Sequence, residues 1–172
     1  MQDLLSVFGL SVVSFPELCL RMALAMVLAM VIGLDRDTKN KPIDFRAYMI
    51  IAASSCAVAI VGQEVYAGHI ANESLPTADL SKIMEGVLTG IGFLGAGAIV
   101  KRGDIVVGTA TGASIWASGA MGLVLGFGFY SIAFMLFFAV MATLVLGGWF
   151  MEKVQGVPDE GPNKKEKATG GK

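Results

Sequence analysis

Five stretches of this chain run about 19 to 22 residues with few charges in them, and most charged residues fall in the gaps between. That pattern limits the fold more than any other feature. Inside hydrocarbon a backbone must satisfy its own polar groups, so a spanning stretch forms a helix or joins a closed barrel. At 1.5 Å per residue, about 20 residues cross a ~30 Å core. The stretches are residues 16–34, 47–66, 81–100, 105–125 and 129–150. The expectation is an all-α membrane protein with five transmembrane helices. Only 16% of residues are charged, against about 25% in a soluble domain.

Orientation follows from where the basic residues lie. Arg36, Lys39, Lys41 and Arg46 fall in the first connection, Lys101 and Arg102 in the third, and five lysines after Phe150. These are eleven of the 13 basic residues. Asp3, Glu64, His69, Glu73 and Asp79 belong to the other side. The positive-inside rule then places the N-terminus outside and the C-terminus in the cytoplasm. Tyr66 and Tyr130 near one boundary, and Tyr48 and Trp149 near the other, fit aromatic belts. Residues 1–15 are apolar but short and suit an interfacial segment. Residues 16–150 form the membrane domain, and 151–172 have the composition of a disordered cytoplasmic tail. No basic segment precedes the first apolar run, so no cleaved signal peptide is expected. Cys19 and Cys56 lie in apolar runs and read as small packing residues. Multi-pass insertion makes lipid the first partner, and nothing in the pattern suggests nucleic acid.

Glycine is the second constraint. Twelve of the 22 glycines fall between Gly86 and Gly128. In a soluble helix each would cost roughly 0.5–1 kcal/mol against Ala. Among membrane helices, small residues let backbones approach closely. Gly86, Gly90, Gly92, Gly95, Gly97, Gly108 and Gly112 are therefore expected to form close-packing surfaces, with Trp116 filling space among small residues. The spacings Gly86-x3-Gly90 and Gly108-x3-Gly112 carry this reading. Gly90, Gly92 and Gly95 also match G-x-G-x-x-G, but a dinucleotide site needs a preceding strand and a βαβ unit that an apolar span does not offer. A locally broken helix lining a cavity is the other alternative.

Charges inside the spans are costly, starting at roughly 2.5–3.5 kcal/mol at a helix centre. Arg21 and Glu85 each lie ~6–8 Å into their helices from the same side, counted at 1.5 Å per residue. Matching depth and opposite sign predict an Arg21–Glu85 pair. It serves as a structural pin, or as a site for an ion, a proton or a partner. Snorkelling of both residues to the interface is the alternative. At the other side Asp35 could pair with Arg46, Lys101 or Arg102. Asp35, Asp37 and Asp44 could together offer oxygens to Mg²⁺, although the neighbouring bases would neutralise them. Thr109, Thr111, Ser114 and Ser118 carry hydroxyls on the fourth span, which most often bond their own backbone. His69 reads as a solvated loop residue. Catalytic constellations and cofactor motifs are missing, so an enzyme is not expected.

Arg21, then GLDRDTKNKPIDFR (33–46), GIGFLGAGAIVKRG (90–103) and VVGTATGASIWASGAMGLVLGFGFY (106–130) occur in this order. Over residues 17–150 the chain resembles the MgtC/SapB family of bacterial inner-membrane proteins. The family usually has Glu where Asp35 stands, Leu-Arg-Thr at residues 45–47 and a Thr-Thr-Ala-Ala type stretch at 109–112. Many members carry a cytoplasmic domain after the last helix. Here only about 20 residues follow Phe150, closer to the short SapB-like form. The resemblance implies a non-enzymatic protein linked to growth in low magnesium and, in pathogens, to survival inside macrophages. It implies action by contact with a membrane partner such as the F-type ATP synthase. Arg21, Asp35, Arg36, Arg46 and Glu85 would be the polar framework, and a homo-oligomer is compatible. The rival reading is an oligomeric transporter or channel for Mg²⁺ or protons.

Overall fold

A computed structural model describes residues 10–39, 41, 43–72, 79–102 and 105–155. Most of the interfacial segment and the tail beyond residue 155 lie outside these. Five helices account for nearly all of the described chain. They are α1 (Phe15–Thr38), α2 (Phe45–Ala71), α3 (Leu80–Gly97), α4 (Thr109–Gly126) and α5 (Tyr130–Gln155). Helices α1, α2 and α5 are long and apolar enough to cross a membrane. The other two are 18 residues each, and glycine dilutes their apolar content.

Local chemistry sets most of the boundaries. Pro16 occupies the first turn of α1, where its missing N–H costs nothing. Asp44 caps α2 by accepting from Arg46 N, and Asp79 caps α3 by accepting from Ser81 N and Lys82 N. The expected start of the fourth span at Ile105 is corrected. Val100–Arg102 (β1) and Ile105–Val107 (β2) pair antiparallel, with Lys101 opposite Val106. The β-branched residues of this stretch favour strand. Gly108 then turns the chain with φ of +90°, and an added Cβ would lie 2.0 Å from Ala98 O. Gly108 is thus a turn residue rather than a helix-packing residue.

Helix α4 is the axis of the bundle and contacts each of the other four helices. Twelve of its residues are buried. Close approach is enforced by glycine. A Cβ on Gly112 would sit 2.5 Å from Gly95 O, one on Gly122 2.2 Å from Ala52 O, and one on Gly126 2.5 Å from Cys56 O. Gly95 and Gly112 therefore form the expected seam between α3 and α4, as backbone contact without side chains. Tyr48 is fully buried against this core rather than in an aromatic belt. Trp116 does not fill an internal gap. It is 45% exposed and faces outward from α4. Helix α5 packs most loosely, turning Phe134, Met135, Phe138, Leu146 and Trp149 outward.

Candidate functional site

At one end of the bundle, Arg21 joins three elements. Its Nη1 donates to Gly126 O at 2.6 Å and to Gln63 Oε1 at 3.1 Å, and its Nη2 donates to Glu17 Oε1 at 2.5 Å. Gln63 Nε2 donates to Phe127 O at 3.1 Å. Gly126 O and Phe127 O are carbonyls left over at the C-terminus of α4. Gly128, with φ of +82°, makes a Schellman turn in which Phe129 N bonds Val124 O and Gly128 N bonds Leu125 O. Gly126 O and Phe127 O fall outside that turn, and Arg21 and Gln63 satisfy them. The cation also sits at the negative end of the α4 dipole. Tyr130 Oη reaches Glu17 Oε1 at 3.4 Å and ties in α5.

The expected Arg21–Glu85 pair is therefore not formed. Glu85 is exposed on α3, and Glu17 takes its place one turn before Arg21. An i, i+4 partner on the same helix needs no second helix to position it. Glu64 is the other overlooked carboxylate. It accepts from the backbone N–H groups of Ser11, Val12 and Val13 and from Ser11 Oγ, at 2.6–3.1 Å. It thus anchors residues 11–13 to the end of α2. Beside it lies an apolar groove of about 390 Å³ between α1 and α2, lined by Leu10, Leu18, Met22 and Ile60 among others. His69 lies on α2 rather than in a loop.

At the opposite end Asp35 bonds Lys39 Nζ at 3.0 Å, four residues along α1. Arg46 pairs with Asp44 instead of Asp35 and is exposed. Lys101 is exposed on β1. Hydrogen bonds from Arg46 hold the Asp44 carboxyl below its ordinary value. The three aspartates do not gather, and among the described residues no three His, Cys, Asp or Glu side chains come together as a metal site. Arg36 is buried, with Asp35 Oδ2 3.8 Å from its Nη1. Tyr48 Oη lies 3.3 Å from Ser114 Oγ. Ser114 donates to Thr111 O, and Ser118 donates to Ser114 O, the backbone bonding expected of hydroxyls within a helix.

The remaining glycines behave differently from the α3–α4 seam. Around Gly86, Gly90, Gly92 and Gly97, an added Cβ would meet nothing within 4 Å. Among the described residues no other helix closes on them as α4 closes on Gly95. Gly86, Gly90, Phe93 and Gly97 follow helical spacing along one exposed face of α3, with Phe93 82% exposed.

Comparison with known proteins places this bundle. The model of the MgtC family matches residues 22–153. The chain belongs to the MgtC family. It is 33% identical over 140 residues to "Protein SapB" of Bacillus subtilis, covering 81% of this chain and 60% of that one. It is 34% identical over 130 residues to "Putative magnesium transporter YhiD" of Escherichia coli K12, covering 76% and 59%. "Protein MgtC" of Brucella abortus is 31% identical over 109 residues, 63% of this chain and 42% of that one. The chain thus spans about two-fifths to three-fifths of the length of these relatives. No solved structure matches it. The family match begins at residue 22 and ends at residue 153, so it leaves out Glu17 and Arg21 while taking in Gln63 and the α4–α5 turn. Glu17 and Gln63 were both legible as polar residues in apolar stretches, Glu17 at helical spacing from Arg21. Glu64 sits at the edge of its span and gives no such signal.

Proposed function

We propose that this chain is a multi-pass protein of the bacterial inner membrane that regulates a membrane partner by helix–helix contact, without catalysis. All five helices cross the bilayer, with the Arg36 end in the cytoplasm and the Arg21 end outside. At 18 residues, α3 and α4 reach roughly 27 Å, which suits spans held among longer neighbours. The setting the resemblance implies is adaptation to low magnesium, with survival inside macrophages in pathogens. The partner it favours is the F-type ATP synthase.

One observation carries this reading: the open row Gly86, Gly90, Phe93 and Gly97 on α3. Gly95 and Gly112 illustrate what glycine does at a helix contact in this fold. The outer row has the same small-residue chemistry, and among the described residues nothing lies within 4 Å of a Cβ added at its glycines. Small residues on a lipid-facing helix allow a second backbone to approach, with Phe93 as an anchor. A photo-crosslinking residue in place of Phe93, activated in native membranes, tests it. Capture of an ATP synthase subunit, lost on Gly90→Leu, is the expected result. Capture of a second copy alone would favour an oligomer instead. Capture of neither would remove the contact reading.

The rival, an oligomeric conductor of Mg²⁺ or protons, draws on the name of the Escherichia coli relative. Conduction predicts ion leak across the membrane, and contact regulation does not.

A further inference from the structure

Among the described residues, Arg36 is the charged group with a buried donor that has no hydrogen-bond partner. It is 4% exposed, and an arginine keeps its charge at any physiological pH. A buried cation costs several kcal/mol unless its donors are met. Its Nε is closed off from solvent and has no hydrogen-bond partner among the described residues. Its ion-pair partner among the described residues, Asp35 Oδ2, is 3.8 Å from Nη1, and that carboxylate is already bonded by Lys39. The C-terminal dipole of α1 offsets part of the charge. It offers no acceptor to Nε.

The surroundings add to this excess. Among the described residues at this end, Arg36, Lys39, Lys41, Arg46 and Lys101 outnumber Asp35, Asp37 and Asp44. A second unmet group, Thr111 Oγ1, is fully buried in the first turn of α4 at the same end. The N-terminus of α4 receives no side-chain cap from Gly108 and holds no acidic residue in its first turn, so its own first turn offers the positive dipole end no negative partner.

We propose that the Arg36 guanidinium takes a phosphate oxyanion at this end of the bundle. A planar fork of five donors matches the spread oxygens of a phosphate group, and chloride lacks that geometry. A lipid headgroup and free inorganic phosphate present the same atoms. The proposal goes beyond the regulatory reading and does not depend on the α3 face or on the partner's identity.

The test uses the purified full chain at fixed ionic strength. Its thermal midpoint is followed in detergent against inorganic phosphate with chloride as reference. It is also compared between vesicles of phosphatidylglycerol and of digalactosyl diacylglycerol, which has no phosphate. The wild-type midpoint rises by several degrees with one phosphate source or both. Arg36→Gln lowers the apparent affinity about tenfold or more, the range for hydrogen bonds to a charged group. If Arg36→Gln does not fold, Arg36→Lys decides: it keeps the charge without the fork and responds more weakly. A response to inorganic phosphate assigns a free anion, and a response to phosphatidylglycerol alone assigns a headgroup. No response in the wild type overturns the proposal, as does an undiminished response in the variant that folds.

Discussion

Arg21 Nη1 donates to Gly126 O at 2.6 Å across 105 residues of sequence. One side chain on α1 thereby closes the C-terminus of the central helix α4. Arg21→Ala leaves that carbonyl without its donor and leaves Glu17 with only the longer bond from Tyr130 Oη. With Glu17 37% exposed, part of the loss is recovered by solvent. The expected destabilisation is about 2–3 kcal/mol, read as a lowered thermal midpoint in detergent. Glu85→Gln should leave the midpoint unchanged, since Glu85 is exposed. Equal losses in both variants would restore the pair read from helix depth.

Glycines on the two faces of α3 and α4 should respond in opposite ways. Gly122→Ala puts a Cβ 2.2 Å from Ala52 O, and backbone cannot yield as a flexible side chain would. Overpacking of this kind costs roughly 1–3 kcal/mol or more. Gly90→Ala meets nothing within 4 Å and should leave stability unchanged or raise it by about 0.4–1 kcal/mol. Thermal midpoints of the two purified variants check the contrast.

Glu64→Ala should release the chain before α1. The carboxylate accepts from three successive backbone N–H groups, and no methyl group replaces them. Faster proteolysis around residues 11–13 is the expected outcome, with helix content unchanged. Wild-type protection in the variant would mean that Leu10 and its groove hold the segment.

Asp44 links helix capping to pH. Arg46 lowers the native value of its carboxyl. Its cap is therefore fully present above the ordinary Asp value of about 3.9. It fades as pH falls through the lowered native value. Amide exchange in the first turn of α2 should accelerate over that acid range. Asp44→Ala should show the accelerated rate at neutral pH.

The helices were legible because apolar length and charge placement speak directly to burial in lipid. Their ends were less so. Val100 reads as the end of one span and Ile105 as the start of the next, and only the pairing of Val100–Arg102 with Ile105–Val107 separates a hairpin from two helix ends. At the polar sites, depth and sign suggested Glu85 for Arg21, and the i, i+4 neighbour Glu17 prevailed. The sequence pattern also treated all glycines in 86–112 alike. Gly95 faces Gly112 whereas Gly90 faces outward, and which side of a helix meets a neighbour depends on the arrangement of the bundle. Trp116 points outward for the same reason.

Proton pumping in inverted membrane vesicles tests the central claim most directly, energised once by ATP and once by respiration. This protein should diminish the ATP-driven gradient alone, and Gly90→Leu should abolish the effect while still accumulating in the membrane. Loss of both gradients would contradict it and establish an ion leak. An unchanged ATP-driven gradient would contradict restraint of the ATP synthase.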